Sequence, residues 1–152
     1  MSSAAALKSF GPFADLSDAE RAEVADLLEE RRLSRGETLF AEGDEAESAV
    51  LVVEGALQIS NRRLRDTARL GAGVVVGGLA LFSVGTRESA AEGAEPTQLL
   101  VLRREDFLRL AEDSPRTACR VAMALAAELA AHLRGALAAL PSGSVDPAEA
   151  PE

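Results

Sequence analysis

The sequence is poor in the residues that most often carry chemistry or stack on bases. Its 152 residues include one cysteine, one histidine, five phenylalanines and no tryptophan or tyrosine. A single cysteine excludes an internal disulfide and fits a reducing compartment, so we expect a cytoplasmic protein. A single histidine excludes a multi-histidine metal centre, and so few aromatic rings leave little surface for stacking on nucleic-acid bases.

Long apolar runs and basic charge are also scarce. No apolar run approaches the roughly 20 residues that a membrane span needs, and the N-terminus lacks the basic start of a signal peptide. The 16 basic and 25 acidic side chains give a net charge of −9, whose sign opposes a phosphate backbone. We therefore expect a single domain with no membrane segment and no direct DNA binding.

The first clear element is a helix that begins after Ser17. Ser17 and Glu20 have the spacing of a capping box, and acids in the first turn suit the helix dipole. We predict that this helix runs to about Glu30 and forms an N-terminal helical segment. Its predicted buried stripe comprises Ala19, Val24, Leu27 and Leu28.

From about residue 31 to residue 103, short runs of strand-forming residues alternate with glycines. Residues 48–53 are rich in β-branched side chains and stop at Gly55, and residues 98–102 form the last such run. Short strands with glycine punctuation are typical of a roll or a sandwich, not of alternating strands and helices. We predict a mainly β protein with flanking helices, in which a jelly-roll-like β-roll covers residues 31–103.

Helical signals return over residues 104–140. Ser114 is suited to cap a helix that starts at Pro115, and Pro141 ends it. Apolar residues three and four positions apart form a seam of the kind that two helices share. The seam comprises Ala126, Leu129, Leu133, Ala136 and Leu140. It predicts a homodimer through this helix; the alternative is that the seam packs on the N-terminal helix of its own chain.

These elements assign residues 1–140 to one domain and residues 141–152 to a tail. The tail holds three prolines, three acids and no base, so we expect it to be disordered. No helix-turn-helix, kinase or channel pattern follows the seam helix. We therefore expect a stand-alone module that acts through a protein partner or through dimerisation.

The spacing of the glycines distinguishes this order of strands and helices from other mainly β patterns. Gly43 and Gly55 stand 12 positions apart, each at the end of a strand-like run. Residues 70–73 read Leu-Gly-Ala-Gly, and residues 77–82 read Gly-Gly-Leu-Ala-Leu-Phe. Together with residues 95–107, these pieces resemble cyclic-nucleotide-binding domains of the catabolite-activator and protein-kinase-regulatory-subunit type. The resemblance covers residues 10–137 and implies a non-enzymatic regulatory module, in which ligand in the roll repositions the closing helices.

The resemblance also implies a ligand site, the phosphate-binding cassette. In the family, a short helix presents backbone N–H groups to the cyclic phosphate, and an arginine on the next strand pairs with its charge. The residues implied here are Gly77, Gly78, Leu79, Ala80, Leu81, Arg87 and Ser89. A glutamate that accepts a hydrogen bond from the ribose 2′-hydroxyl is replaced by Gly78. Losing that bond costs about 1.5–3 kcal/mol, so we expect dissociation constants above about 10 μM.

Two interpretations of the cassette stay open at this point. An alignment shifted by one residue would put Glu88 at the arginine position, where a carboxylate would repel phosphate; the register of residues 95–97 favours Arg87. The domain is then either a sensor for a cyclic nucleotide or a related phosphate ligand, or a pseudo-receptor that serves as an interaction or dimerisation platform. Arg87 favours the sensor, whereas Gly78 and Glu88 favour the pseudo-receptor.

We predict no catalytic residue, no metal site and no cofactor. His132 stands in the last helix without companion ligands, and we expect it at the surface or at an interface. Cys119 lies among small apolar residues of the same helix, with no basic cluster to stabilise a thiolate. We expect it to be a buried small hydrophobe.

Overall fold

The structure is a computed structural model that describes residues 2–141, apart from the side chain of Leu64. Its helices are α1 (Ser3–Leu7), α2 (Gly11–Ala14), α3 (Asp18–Ala25), α4 (Arg104–Asp113) and α5 (Pro115–Ala138), with a 3-10 helix at Gly78–Leu81. Its strands are β1 (Glu29–Leu33), β2 (Thr38–Phe40), β3 (Glu45–Ala46), β4 (Ser48–Glu54), β5 (Ala56–Asn61), β6 (Leu64–Gly71), β7 (Val75–Val76), β8 (Gly85–Thr86), β9 (Ala90–Gly93) and β10 (Thr97–Arg103). The tail predicted for residues 141–152 lies outside the described residues from position 142 onwards.

Three antiparallel sheets form the roll. The first has the strand order β1-β10-β4-β7, the second β2-β9-β5-β6, and β3 and β8 make a short pair. The strand predicted at residues 98–102 becomes β10 and pairs with both β1 and β4. The predicted fold class, a β-roll with flanking helices, is confirmed.

Strand β4 separates two parts of the core. Ala49 and Leu51 face the helices and join a cluster that includes residues from every helix. Val50 and Val52 point to the opposite side, into a second cluster inside the roll. Because successive side chains of a strand point to opposite faces, β4 is buried on both sides and lies between the helices and the interior of the roll.

The N-terminal helix begins as predicted but ends early. Ser17 Oγ accepts a hydrogen bond from the backbone N–H of Glu20 at 3.1 Å, and Glu20 Oε1 accepts one from the N–H of Ser17 at 2.9 Å. The capping box is therefore confirmed. The prediction that the helix continues to about Glu30 is wrong, since α3 ends at Ala25.

The residues after α3 form a strand because a partner is available. All five residues of Glu29–Leu33 pair with β10, and this tertiary pairing outweighs a weak local preference for helix. The roll therefore begins at residue 29. The predicted buried stripe is correct for Val24, wrong for the exposed Ala19, and only half-buried at Leu27 and Leu28.

Helix α5 divides into a buried half and an exposed half. Its buried residues are Thr117, Ala118, Val121 and Leu125. From Ala131 to Leu140 every residue is exposed. By length and composition α5 is a helix that could cross a membrane, which we did not expect. Length and composition alone are weak evidence of a membrane span, because the core helix of a soluble protein passes the same test and one face of the first half of α5 packs in the core.

Candidate functional site

The cassette is a tight turn built on Gly77. Gly77 has a left-handed backbone with φ of 73°, and the 3-10 helix Gly78–Leu81 follows directly. The positive φ favours glycine at this position, and a Cβ atom there would displace Nη1 of Arg87. The backbone N–H of Ala80 donates to the carbonyl oxygen of Gly77 at 3.0 Å and closes the turn.

The Arg87 side chain lies against this turn and is 8% exposed. Its Nη2 donates to the carbonyl oxygen of Ser48 at 2.9 Å and approaches the Ser48 hydroxyl at 3.2 Å. The centre of the guanidinium lies 4.3 Å from the centroid of the Phe40 ring, in a cation–π contact. Its Nε is buried and finds no hydrogen-bond partner among the described residues. The charge of Arg87 is therefore only partly compensated inside the chain.

The backbone of Arg87 is held by the glycine turn before β3. Its N–H donates to the carbonyl oxygen of Asp44 at 2.7 Å, and its own carbonyl accepts from the N–H of Gly43 at 2.8 Å. Burial lowers the pKa of the Arg87 guanidinium from its ordinary value, and the charge of Asp44 acts in the opposite direction. Glu88, the alternative from the shifted alignment, is exposed. The structure therefore brings Arg87 to Gly77.

A cavity of about 490 Å³ opens beside Arg87. Its wall on the roll side is apolar and is formed by Phe40, Ala46, Ile59, Leu70 and Val76. Of the predicted cassette residues it is lined by Gly77, Leu79, Ala80, Arg87 and Ser89. Leu81 does not reach it, because that side chain is 1% exposed and packs in the cluster next to the helices.

A second cavity, of about 320 Å³, continues from the first toward α5. The two share Leu70, Val76, Gly77 and Leu79. Gly78 lines the second cavity, opposite Leu125, Glu128, Leu129 and His132 of α5. A Cβ atom at Gly78 would lie 3.5 Å from Leu125 Cδ2, an ordinary contact, so this position accepts a Cβ atom without a collision.

Together the two cavities form a groove with distinct ends. One end offers the buried guanidinium of Arg87, the middle offers apolar walls, and the α5 end offers the polar groups of Glu128 and His132. The groove could hold an anionic group at one end and a flat apolar body in the middle. Phe40 and Ser48, which hold Arg87, were missed by the sequence analysis, because neither carries a motif of its own.

A family profile for the cyclic nucleotide-binding domain matches residues 30–114. The match runs from β1 to the residue before α5 and contains the whole cassette with Arg87. The chain belongs to the cyclic nucleotide-binding domain family. The predicted resemblance is thus confirmed, whereas the roles of the individual cassette residues stay predictions.

Relatives of this domain occur in regulatory proteins. The cyclic AMP receptor protein of Thermus thermophilus is 36% identical over 115 residues, which are 72% of this chain and 53% of that protein. A cAMP-dependent protein kinase regulatory subunit of Candida albicans is 29% identical over 104 residues, which are 68% of this chain and 23% of that protein. The chain thus matches about half of the first relative and about a quarter of the second.

Solved structures agree with the fold. The N-terminal domain of a transcriptional regulator from Streptomyces coelicolor A3(2) superposes with a TM-score of 0.75 at 29% identity. The superposition covers 91% of this chain and 99% of that domain. A cyclic nucleotide-binding domain from Methylobacillus flagellatus gives a TM-score of 0.78 at 20% identity, a likeness of fold alone.

Two other residues singled out from the sequence lie on α5. His132 is exposed at the rim of the second cavity, as predicted for a surface position. Cys119 is exposed, so the prediction of a buried thiol is wrong. Its neighbours Ala118 and Val121 occupy the buried face, and the turn of the helix directs Cys119 away from that face. Within residues 2–141 no three or more His, Cys, Asp or Glu side chains are grouped to hold a metal ion.

Proposed function

We propose that this domain is a non-enzymatic, cytoplasmic regulatory sensor that binds a cyclic nucleotide, or a related phosphate-bearing ligand, weakly in the cavity beside Arg87. The observation that supports this proposal most is the incomplete pairing of Arg87. A buried charge is costly unless it is fully paired, yet the Nε of this guanidinium has no partner among the described residues. A ligand phosphate in the cavity would bring the opposite charge and hydrogen-bond acceptors to the guanidinium.

The shape of the groove fits the remainder of such a ligand. A volume of about 490 Å³ lies within the roughly 300–1,000 Å³ typical of small-molecule sites. The apolar wall of Ile59, Leu70 and Val76 suits a sugar ring or a base. The Thermus relative is itself named for cyclic AMP, which makes a cyclic nucleotide the first ligand to test.

Weak binding follows from Gly78. A glycine offers no side-chain acceptor for a ribose hydroxyl, and one charge-assisted hydrogen bond is worth about one to two decades of affinity. The backbone at Gly78 is helical, not left-handed, and its Cβ position is free of collisions. Restoring a glutamate is therefore a gain-of-function test that the local geometry permits.

The test is a calorimetric titration of cyclic AMP and cyclic GMP into the wild type, Gly78→Glu and a control, Gly71→Glu. The Gly71→Glu control adds the same charge at a position where a Cβ atom meets nothing within 4 Å. Gly71 does not line the groove. We expect a wild-type dissociation constant above about 10 μM, about 10- to 100-fold tighter binding in Gly78→Glu, and no change in the control. The hypothesis is that binding is weak because the glutamate is replaced by Gly78. Nanomolar binding by the wild type, or an unchanged affinity in Gly78→Glu, would contradict it.

The alternative function, a dimerisation platform, is favoured by the exposed half of α5. Leu133 is 61% exposed and Leu140 57% exposed, and Leu137, which extends the stripe, is 58% exposed. These side chains do not pack on the N-terminal helices of their own chain, which was the alternative for the seam. We propose that a second copy of α5 covers them, since each buried leucine contributes roughly 1.5–3 kcal/mol. Dimerisation is compatible with ligand binding and with an unused pocket.

Light scattering over a concentration series tests the dimer. We expect about twice the chain mass of 15.9 kDa for the wild type and a mass near 15.9 kDa for Leu133→Glu. Ala131→Glu is the matched control, because Ala131 is exposed on the other side of the same helix. A wild-type mass near 15.9 kDa at every concentration refutes the dimer.

A further inference from the structure

Arg104, the first residue of α4, reaches the back of the cassette. Its Nη1 lies 3.1 Å from the carbonyl oxygen of Ala80 and 3.1 Å from that of Ser83. It also lies 3.0 Å from the carbonyl oxygen of Ala46 in β3. One guanidinium nitrogen therefore donates to the 3-10 helix, to the residues just after it, and to a strand of the roll. Arg104 does not line the groove that runs from Arg87 to α5, but together with Arg87 it lines another cavity, of about 580 Å³.

Residues 46–48 of the roll contact both Arg104 and Arg87. The backbone N–H of Arg104 donates to the carbonyl oxygen of Glu47 at 2.8 Å, and Arg87 Nη2 donates to that of Ser48 at 2.9 Å. The consecutive carbonyls of Ala46, Glu47 and Ser48 thus receive Arg104 on one side and Arg87 on the other. An anion that draws hydrogen bonds from Arg87 competes with Ser48 for the same donors.

Helix α4 also makes apolar contacts with the cassette segment, since Leu81 shares a core cluster with Phe107 and Leu110. The rings of Phe82 and Phe107 meet edge to face, with centroids 5.6 Å apart. An apolar contact tolerates sliding, whereas hydrogen bonds weaken steeply with misalignment. The Arg104 bonds are therefore the directional part of the junction. α4 in turn packs on α5, so its placement is passed to the helix that carries the exposed seam.

We propose that Arg104 is the positioning residue that couples the cassette to α4, and through which the closing helices, whose response to ligand the family resemblance already implies, follow the occupancy of the groove. The role in signalling rests on the proposed function, whereas the coupling of the cassette to α4 exists with or without a ligand. Because coupling between sites is reciprocal, a change that loosens α4 from the cassette also weakens the ligand site.

Hydrogen exchange of the ligand-free protein, followed by mass spectrometry, tests the coupling directly. We expect Arg104→Ala to raise exchange about tenfold in residues 78–83, which are the 3-10 helix of the cassette and the two residues after it, and in the first turn of α4 together. Arg109→Ala is the control, because Arg109 is exposed on the same helix and pairs only with Asp106 among the ion pairs of the described chain. It should leave both segments unchanged. Cassette exchange within twofold of the wild type in Arg104→Ala would overturn the proposal.

A milder variant covers the case in which Arg104→Ala does not fold. Arg104→Lys keeps the charge, but its side chain is shorter, so the ammonium does not reach the position of Nη1 between the three carbonyls. We expect the same two segments to exchange about threefold faster in this variant, again in parallel. Faster exchange confined to α4, with the cassette unchanged, would overturn the coupling.

The signalling role is tested by repeating the exchange at millimolar cyclic AMP or cyclic GMP. In the wild type we expect slower exchange in both the cassette and α4. In Arg104→Ala we expect slower exchange in the cassette alone, and equal protection of α4 would overturn the proposal. If neither nucleotide alters exchange anywhere in the wild type, the proposed function fails, and the ligand-free comparison still decides whether Arg104 couples the two segments.

Discussion

Two buried arginines, one in the N-terminal helical corner and one in the cassette, have the same exposure and different surroundings. Arg21 and Arg87 are each 8% exposed. Arg21 donates to backbone carbonyls and to a carboxylate, so that both terminal nitrogens are paired. Its partners include the carbonyl oxygens of Ala14 and Leu16 and the carboxylate of Asp18. The side chain of Arg87 donates to Ser48, and its Nε has no partner among the described residues.

The comparison shows that two equally buried arginines can differ in how completely the chain pairs them. Arg21 joins the end of α2 to α3, and the chain itself supplies the groups that compensate its charge. Arg87 lines a cavity, and its buried Nε has no hydrogen-bond partner among the described residues. We infer that Arg21 stabilises the fold. We propose that a bound ligand compensates the charge of Arg87.

The largest effect on stability is expected at Arg21. Arg21→Met keeps the length and the apolar stem but leaves buried carbonyl oxygens without donors, which costs about 1–3 kcal/mol for each such group. We expect the free energy of unfolding to fall by about 2–4 kcal/mol, measured by urea denaturation. A loss below about 0.5 kcal/mol would mean that the pairing of Arg21 contributes little and would remove the contrast with Arg87.

A much smaller effect on stability is expected from the same change at Arg87. Removing a buried charge that the chain pairs only in part also removes its desolvation cost, which offsets the lost contacts with Ser48 and Phe40. We expect Arg87→Met to change the free energy of unfolding by less than about 1 kcal/mol in either direction, in the same urea experiment. If Arg87→Met costs as much as Arg21→Met, Arg87 is a structural residue and the comparison fails.

The smallest effect is expected at the exposed partner of Arg21. The hydrogen bond from Arg21 holds the pKa of the Asp18 carboxyl below its usual value, and the charges of Lys8 and Arg21 act in the same direction. A lowered pKa in the folded state gives stability that is present above the unfolded-state pKa and is lost as pH falls through the folded-state pKa. Asp18→Asn should therefore lower the urea midpoint slightly at pH 7. That difference should vanish below the folded-state pKa, and a difference that persists there would contradict this account.

Local sequence signals predicted the elements whose determinants are close together in the chain. The capping box of Ser17 and Glu20, the start of α5 at Pro115 and the run that became β10 depend on neighbouring residues. The strand Glu29–Leu33 could not be predicted in this way, because its pairing partner lies about 70 residues further along the chain. For the same reason α3 was predicted too long.

The candidate site was predictable as a motif but not as a set of contacts. The motif placed Gly77 and Arg87 together, and the structure adds that the guanidinium fills the space that a side chain at Gly77 would need. Its contact with Ser48 bridges 39 positions of sequence, and the contact of Arg104 with Ala46 bridges 58. Such contacts depend on the tertiary fold, which spacing along the chain does not encode.

The most direct test of the central claim is a titration of cyclic AMP and cyclic GMP into the wild type and Arg87→Met. Arg69→Met is the control, because Arg69 lies on the exterior and pairs with Glu95. We predict that the wild type and Arg69→Met bind with dissociation constants above about 10 μM, and that Arg87→Met shows no binding while retaining its fold. Unchanged affinity in Arg87→Met, or no binding by the wild type at millimolar nucleotide, would contradict the claim that a ligand phosphate completes Arg87.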